Sequence, residues 1–256
     1  MKEKRLDIFL VENGFCLTRS AAQNLIKLGQ VLVNGNPVTK SSYSIFDNDE
    51  VIITKENIYV GRGADKLLSV LNRVDIDFSE KIVGDIGAST GGFTELALSK
   101  GAKKVYAIDV GHDQLAQILR DDKRVINREG VNVKFPFELE EKVDIILVDL
   151  SFISLTKILE NVLDHLNPLG EGLILVKPQF ETDKKQKNKK GVVKDSQLYQ
   201  EVCRSLYGFL EELGYSVLGL YASELKGKKG NQEFFFHICA KSKNLGLKWD
   251  ELEVQL

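Results

Sequence analysis

The chain has 256 residues, 43% of them hydrophobic and 28% charged, which excludes a wholly disordered protein and allows one large core plus a smaller one. No apolar run approaches the roughly 18 residues of a membrane helix, and the charged segment Met1 to Leu10 is unlike a secretory leader, so we expect a cytoplasmic protein without a membrane partner. The net charge is only −2, so a polyanionic partner would need a locally basic surface. The wide spacing of Cys16, Cys203 and Cys239 predicts reduced thiols that bind no metal.

The N-terminal part of the chain predicts two helices followed by a hairpin. Leu6, Phe9 and Leu10 recur at helical spacing. Thr18 is a suitable N-cap for a second helix. After that helix, Asn34-Gly35 is a strong signal for a tight turn between two short strands. The order helix, helix, hairpin predicts a small α+β unit.

The second predicted helix carries a polar, mostly cationic stripe. Arg19, Gln23 and Lys27 recur at every fourth position, which suits RNA phosphates, although spacing alone leaves open a merely solvated face. The chain from Arg5-Leu6-Asp7 to Gly29-Gln30-Val31-Leu32-Val33-Asn34-Gly35 resembles the S4 RNA-binding domain. The resemblance implies contacts with phosphate and sugar of structured RNA by these three side chains and by Arg5.

A short apolar strand, a glycine-rich turn and a helix are predicted from Lys81 onward. Glycines let the backbone approach a ligand closely, and the start of the helix offers unpaired N–H groups. The turn departs from a dinucleotide fingerprint because Ser89 replaces its second glycine. The pattern Asp-x-Gly-x-x-x-Gly-Gly instead resembles motif I of class I methyltransferases, which cradles S-adenosylmethionine. The cofactor contacts that this implies are Asp85, Gly87, Ala88, Ser89, Thr90, Gly91, Gly92 and Phe93.

Three further strands end in charged residues. The strand from Lys104 ends at Asp109, which we expect to bind the cofactor ribose, with Val110 beside it. The next two apolar strands end at Asp149 and Lys177. Because ligands bind outside the carboxyl ends of strands in open parallel sheets, these two side chains are predicted to face one crevice.

The alternation of strands and helices predicts an α/β fold with a doubly wound, mostly parallel sheet, Rossmann-like and of the class I methyltransferase type. We expect an S4-like domain at residues 1–55, a linker at 56–63 and a methyltransferase domain at 64–256.

Four short runs resemble the TlyA family, and the likeness covers almost the whole chain. The runs are Gly61-Arg62-Gly63-Ala64-Asp65-Lys66-Leu67, Val148-Asp149-Leu150-Ser151-Phe152, Val176-Lys177-Pro178-Gln179-Phe180-Glu181 and Gly230-Asn231-Gln232-Glu233-Phe234-Phe235. TlyA proteins look like FtsJ-type ribose methyltransferases fused to an S4 domain. The resemblance implies 2′-O-methylation of ribosomal RNA, on cytidine in one or both subunits, with S-adenosylmethionine as cofactor. The implied catalytic tetrad is Lys66, Asp149, Lys177 and Glu233.

The tetrad suits the chemistry of this reaction. A ribose hydroxyl is protonated near neutral pH, so a base must take its proton. A lysine amine can do so only when uncharged, a form that desolvation or a nearby cation favours. By the resemblance, Lys177 is the base, Asp149 its partner, and Lys66 and Glu233 hold the ribose. Taken singly, each could equally be a surface charge, a helix cap or an ion-pair partner.

Lysines are clustered in the two segments that flank these runs. Lys184 to Lys194 follow Lys177, and Lys226 to Lys229 precede Glu233, so both clusters are predicted to rim the catalytic mouth and attract RNA. A solvated loop without a role is the alternative. The RNA-binding residues expected here are Arg62, Lys184, Lys185, Lys189 and Lys190.

Two aromatic residues lie near the predicted strand ends. Phe152 and Phe180 could stack on a nucleotide extruded from the RNA, but we expect them to belong to the core.

Three rival functions fit the sequence less well than ribose methylation. TlyA proteins have also been called haemolysins, but the sequence offers no spanning helix for a membrane-active protein. An RNA base methyltransferase is opposed by Asp149-Leu150-Ser151-Phe152, which stands where enzymes acting on base amines carry a proline pair. An inert S4 adaptor is opposed by the presence of all four tetrad residues.

Overall fold

The computed structural model contains a small N-terminal unit and a larger unit built on one sheet. It describes residues 3–16, 18–54, 59–189, 191–193, 195–240 and 246–252.

The N-terminal unit has two helices and two small sheets. Its elements are β1 (Lys4–Arg5), α1 (Leu6–Glu12), α2 (Arg19–Lys27), β2 (Val31–Val33), β3 (Asn36–Pro37), β4 (Ser44–Ile45) and β5 (Val51–Ile53). Strand β2 lies between β3 and β5, and β1 pairs with β4. The predicted order of helix, helix and hairpin is confirmed, while the pairing of β5 with β2 adds a third strand.

Local signals account for these N-terminal elements. The Thr18 hydroxyl accepts a hydrogen bond from the Ala21 N–H and so caps α2, as predicted. Asn34 and Gly35 both have positive φ, 51° and 77°, which a tight hairpin turn requires. The apolar faces of the two helices and the strands then form a small core of their own.

The larger unit is built on a seven-stranded sheet. Its strands are β6 (Ile82–Ile86), β7 (Lys104–Asp109), β8 (Val125–Glu129), β9 (Val143–Val148), β10 (Leu166–Val176), β11 (Tyr215–Ala222) and β12 (Phe234–Ala240). Their order across the sheet is β11, β12, β10, β9, β6, β7, β8. Of these seven strands, β12 alone runs opposite to the other six. The mostly parallel α/β fold is therefore confirmed.

Helices cover both faces of this sheet. They are α3 (Gly63–Leu71), α4 (Gly92–Ser99), α5 (Gln117–Arg120), α6 (Leu159–Leu163), α7 (Pro178–Glu181) and α8 (Ser196–Glu212). Alternate residues of β9 enter different cores: Ile145 and Leu147 pack with α3 and α4, whereas Ile146 and Val148 pack with α6 and α8. None of the described helices is both long and apolar enough to cross a membrane.

The topology brings the ends of several strands to one edge of the sheet. The carboxyl ends of the parallel strands β6, β7, β9 and β10 lie there, and the reversed strand β12 begins there. The segment before α3 joins the two units, because Val60 is buried in the sheet core while its carbonyl accepts a hydrogen bond of 3.1 Å from the Thr18 hydroxyl. The N-terminal unit is thereby held close to that edge.

Candidate active site

A cavity of about 800 Å³ opens at this edge of the sheet. Its walls come from the glycine-rich turn after β6, from the ends of β9 and β10, from the start of β12 and from α2 of the N-terminal unit. All four tetrad residues line it: Lys66, Asp149, Lys177 and Glu233. Residues separated by more than 160 positions in the chain thus share one cavity.

Lys177 and Asp149 form one ion pair in this cavity. The side-chain amine of Lys177 is 9% exposed and contacts Asp149 Oδ1. The same amine donates a hydrogen bond of 2.8 Å to the Ser151 hydroxyl. Ser151 was not among the predicted site residues, although its position two residues after Asp149 puts the two side chains on one side of an extended chain. Two partners therefore fix the direction of the amine.

Lys66 and Glu233 form the second ion pair. Lys66 Nζ lies 2.6 Å from Glu233 Oε2, and both side chains are buried. Lys66 lies on α3, and Glu233 directly precedes β12. Burying two charges is unfavourable unless they pair, so each side chain holds the other in the cavity wall.

The glycine-rich turn forms another part of the cavity wall. Gly87 has a φ of 88°, and a β-carbon there would lie 2.5 Å from the Asp149 carbonyl oxygen. Gly92 begins α4, and its β-carbon would lie 2.9 Å from the Ala64 nitrogen. These positions must be glycine because the backbone of neighbouring segments approaches so closely. The turn residues that line the cavity are Gly87, Ala88, Ser89, Thr90, Gly92 and Phe93.

Asp85 is a fully buried carboxylate at the base of this turn. Its Oδ2 accepts a hydrogen bond of 2.6 Å from the Thr94 hydroxyl, whereas Oδ1 has no hydrogen-bond partner among the described residues. Burial raises the pKa of Asp85 to about 7, and the nearby Asp149 carboxylate adds to the rise. A buried, unpaired acceptor that lines a cavity fits a ligand that carries an ammonium group, as S-adenosylmethionine does.

The other predicted cofactor residues lie around the cavity rather than in its lining. Asp109 accepts hydrogen bonds from the Ser89 N–H at 2.9 Å and the Gly111 N–H at 2.7 Å, so it braces the glycine-rich turn. Val110 is exposed, and Gly91 is buried beneath Leu119.

The predicted RNA-binding residues of the N-terminal unit divide into two groups. Gln23 and Lys27 line the cavity. Arg5 and Arg19 lie outside its lining and donate hydrogen bonds to the buried Asp7. Helix α2 therefore presents one part of its polar face to the cavity and another to solvent.

The predicted lysine rim is also divided. Arg62 lines the cavity, together with Lys187, Lys228 and Lys229 from the two predicted clusters. Lys185 and Lys189 are exposed outside the lining. Lys190, Lys194 and the side chain of Lys184 lie outside the described part of the chain.

One expectation about the aromatic residues is wrong. Phe152 is not in the core: its exposure is 91%, it lines the cavity, and its φ is 68°. Its ring centroid lies 5.1 Å from that of Phe180, which also lines the cavity. Glu181 holds the loop in place by accepting hydrogen bonds from the Ser154 hydroxyl and the Leu155 N–H. Sequence analysis missed this exposure because aromatic residues near strand ends are usually buried.

Comparison with protein families agrees with this fold. The FtsJ-like methyltransferase pattern matches residues 59–239, and the S4 domain pattern matches residues 4–51. The molecule is thus an enzyme of the FtsJ-like methyltransferase class that carries an S4 domain.

Individual relatives narrow the assignment. Hemolysin A of Brachyspira hyodysenteriae is 39% identical over 91% of this chain and 99% of its own. The 16S/23S rRNA (cytidine-2'-O)-methyltransferase TlyA of Mycobacterium tuberculosis is 38% identical over 93% of this chain and 90% of its own. The solved structure of a proposed hemolysin from Streptococcus thermophilus is 36% identical, with a TM-score of 0.72 over 93% of this chain and 88% of its own. The chain belongs to the TlyA family.

Proposed function

We propose that the protein methylates the 2′-hydroxyl of a cytidine in ribosomal RNA of one or both subunits, with S-adenosylmethionine as methyl donor. The observation that carries the proposal is the opening of both lysine–carboxylate pairs into one cavity with the glycine-rich turn. The substrate follows the named activity of the Mycobacterium tuberculosis relative. Because ribosomal RNA is the substrate, we expect the enzyme to act in the cytoplasm.

Lys177 is the proposed base. S-adenosylmethionine, when bound, supplies a methyl group on a positively charged sulfur. The amine of Lys177 would take the proton of the ribose hydroxyl, and the ribose oxygen would bond to the methyl carbon as the bond from that carbon to sulfur breaks, which leaves a neutral thioether. Asp149 and Ser151 orient the amine, because both contact Nζ directly.

Lys66 and Glu233 are the proposed ribose holders. Their buried pair lines the cavity that Lys177 also faces, so an ammonium and a carboxylate are both available to ribose oxygens. A positioned hydroxyl reacts faster because the loss of its rotational freedom has occurred on binding. Neither residue needs to change its charge for this role.

The cofactor would be held by the glycine-rich turn and by Asp85. The unpaired Oδ1 of Asp85 would accept from the amino group of its methionine part, and glycine at positions 87 and 92 lets the turn pack closely against the backbone at Asp149 and Ala64. Asp109 would accept hydrogen bonds from the ribose hydroxyls of the cofactor at its remaining lone pairs, while it also accepts one from the Ser89 N–H.

RNA would approach through a mouth that both units build. Lys27 and Arg62 lie in the cavity wall together with Lys187, Lys228 and Lys229, so the backbone phosphates would meet positive charge on several sides. A target nucleotide inside structured RNA must be extruded to bring its ribose to the tetrad. The exposed ring of Phe152 is placed to stack on the extruded base.

Transfer of labelled methyl from S-adenosylmethionine to purified ribosomal subunits tests the proposal. We expect label in RNA, and stops at one or a few nucleotides in primer extension sensitive to 2′-O-methylation. The Lys177→Ala variant should give neither signal. Label in a base would favour an RNA base methyltransferase instead. Absence of label from both subunits, together with lysis of red cells by the purified protein, would favour the haemolysin reading.

A further inference from the structure

Asp7 is the hub of a side-chain cluster at the surface of the N-terminal unit. Its carboxylate is fully buried and accepts four N–H groups. Oδ1 accepts from Arg5 Nε at 2.9 Å, and Oδ2 accepts from Arg5 Nη2 at 3.0 Å, from Arg19 Nε at 2.9 Å and from Gln23 Nε2 at 2.8 Å. One acid on α1 therefore ties the residue before that helix to two residues of α2.

The two arginines keep donors that this cluster does not use. The side chains of Arg5 and Arg19 are 45% and 54% exposed. Arg5 Nη1 and both Nη atoms of Arg19 donate to no atom in the described part of the chain. A guanidinium group is planar, so fixing one edge of it also fixes the direction of its remaining N–H groups. These exposed edges match the oxygens of a phosphate.

The charges of the cluster do not balance. Two guanidinium groups surround one carboxylate, while Gln23 is neutral, so one positive charge is left at an exposed surface. An ion pair that only holds α1 against α2 would need one arginine, whereas this cluster has two. Hydrogen bonds from Arg5, then from Gln23 and Arg19, hold the pKa of Asp7 well below its usual range, so the acid stays ionised. The excess charge therefore persists at every pH used for activity.

We infer that Asp7 is a positioning residue for RNA binding: its buried carboxylate sets the direction of the Arg5 and Arg19 guanidinium groups, which then bind backbone phosphates of structured RNA. The inference rests on the proposed RNA methyltransferase function. It adds that a buried acid controls how tightly the N-terminal unit binds RNA. Two prearranged arginines lose less side-chain freedom on binding than two free ones. An acid within an RNA-binding surface thus strengthens the binding of a polyanion.

The direction in which Asp7→Asn changes the affinity for RNA tests the inference. Asp7→Asn removes a negative charge, so a purely electrostatic surface would bind RNA more tightly. We expect the opposite, a loss of about tenfold in affinity for fluorescently labelled ribosomal RNA, because the arginines lose their shared anchor. Arg19→Lys keeps the charge but loses the planar fork, and it should also weaken binding several-fold. The matched control is Glu12→Gln, which removes an exposed acid of the same unit and should not weaken binding.

A double-mutant cycle separates positioning from folding. If Asp7 acts through Arg5 and Arg19, then Asp7→Asn should lower RNA affinity less in the Arg19→Lys background than in the wild type, because only Arg5 is then left to position. Affinity for S-adenosylmethionine should stay unchanged in every variant, because the substituted residues Asp7, Arg19 and Glu12 do not line the cavity. If Asp7→Asn does not fold, the exposed Arg19→Lys substitution decides, and unchanged RNA binding by that variant overturns the inference. Tighter or unchanged binding by folded Asp7→Asn, or additive losses in the cycle, also overturns it.

Failure of the Asp7 inference can be distinguished from failure of the proposed function. Wild-type protein that methylates ribosomal RNA while both substitutions leave RNA binding intact would refute only the role of Asp7. Wild-type protein that methylates no ribosomal RNA would refute the proposed function itself.

Discussion

At the scale of single residues, the amine of Lys177 contacts two side chains and borders the cavity. Asp149 and Ser151 contact Nζ, and the residue also lines the cavity. Removal of the side chain leaves the acid and the hydroxyl in place. No neighbour then takes over the proton, because Lys66 is already paired with Glu233.

Replacement of this amine should stop catalysis without loss of cofactor binding. We expect Lys177→Ala to lower kcat for methyl transfer by about 100-fold or more, the usual contribution of a positioned base. Calorimetry should give an unchanged Kd for S-adenosylmethionine. Lys185→Ala removes an exposed lysine outside the cavity and serves as the control. Near wild-type turnover by Lys177→Ala would refute the assigned base.

The burial of Asp85 is unfavourable for stability, although the proposed function requires this carboxylate for cofactor binding. Burial raises its folded-state pKa from the ordinary 3.8 to about 7. Between these two values the folded protein holds a proton that the unfolded chain has lost. The contribution of Asp85 to stability therefore falls as pH rises through this window, and its full cost is present above pH 7.

An uncharged isostere should expose this conflict. Asp85→Asn should raise the Tm of the cofactor-free protein by about 5 °C at about pH 8, and by less at about pH 5, where the native acid is already neutral when folded. The same variant should lose S-adenosylmethionine binding. Thermal melts at the two pH values and equilibrium binding measure both effects. An equal change in Tm at both pH values would contradict the raised pKa.

At the scale of elements, the turn between β6 and α4 depends on close approach of two backbones. A β-carbon at Gly87 would meet the Asp149 carbonyl oxygen at 2.5 Å, and the φ of 88° is unfavourable for any L side chain. The strain would fall on the segment that carries Asp149. The turn proposed to hold the cofactor and the segment with the proposed catalytic residue Asp149 are therefore coupled by this close contact.

Two glycine-to-alanine substitutions should have opposite effects. Gly87→Ala should lower the Tm and weaken S-adenosylmethionine binding more than about tenfold, because the turn must shift. Gly208 lies inside α8 with open space around it, so Gly208→Ala should stabilise the protein by about 0.5–1 kcal/mol and leave binding unchanged. Melting curves and binding titrations distinguish the two. A tolerated alanine at position 87 would show that the turn adapts.

The two lysine clusters, Lys184 to Lys194 and Lys226 to Lys229, are the other part of the chain that is proposed to contact RNA. Replacing Lys187, Lys228 and Lys229 by glutamine should raise the KM for RNA roughly tenfold and lower the slope of log affinity against log salt by about two to three. Lys100, Lys103 and Lys123 are exposed at the opposite edge of the sheet, before β7 and β8, and their replacement is the matched control. Affinity for S-adenosylmethionine should not change. An unchanged salt slope would exclude phosphate contacts by the rim.

At the scale of the whole molecule, one hydroxyl links the two units. Thr18 accepts from the Ala21 N–H to cap α2 and donates to the Val60 carbonyl. The Val60 N–H in turn donates to Glu95 Oε2 of α4 at 2.6 Å. Helix α2 is thereby held where Gln23 and Lys27 line the cavity.

Loss of this hydroxyl should loosen the N-terminal unit. Thr18→Ala should cost about 1 kcal/mol of stability, because a helix cap is lost, and should speed hydrogen exchange in α2. Thr18→Ser keeps both hydrogen bonds and should behave as wild type. The alanine variant should also have a raised KM for RNA with little change in kcat. Equal exchange rates in α2 for both variants would show that the contact is dispensable.

Much of the fold and part of the site could be predicted because their signals are local. The Asn34-Gly35 turn, the Thr18 cap and the apolar strands each depend on a few adjacent residues, and the structure places them as expected. The approach of Lys177 to Asp149 followed from one rule about parallel strands. Their chemical roles are implied by the family resemblance and await the experiments above.

Other features depend on contacts between distant parts of the chain. The order of residues gives no signal that Arg5, Arg19 and Gln23 share Asp7, that Phe152 is exposed, or that α2 lines the catalytic cavity.

The amino-acid sequence by itself determined the elements of this protein, their mostly parallel arrangement and the chemical groups at the strand ends. Only the tertiary structure decided which charges are paired, which are buried and which remain for a ligand. The physical reason is that propensities and turns act over a few residues, whereas burial and ion pairing depend on segments that the folded chain brings together.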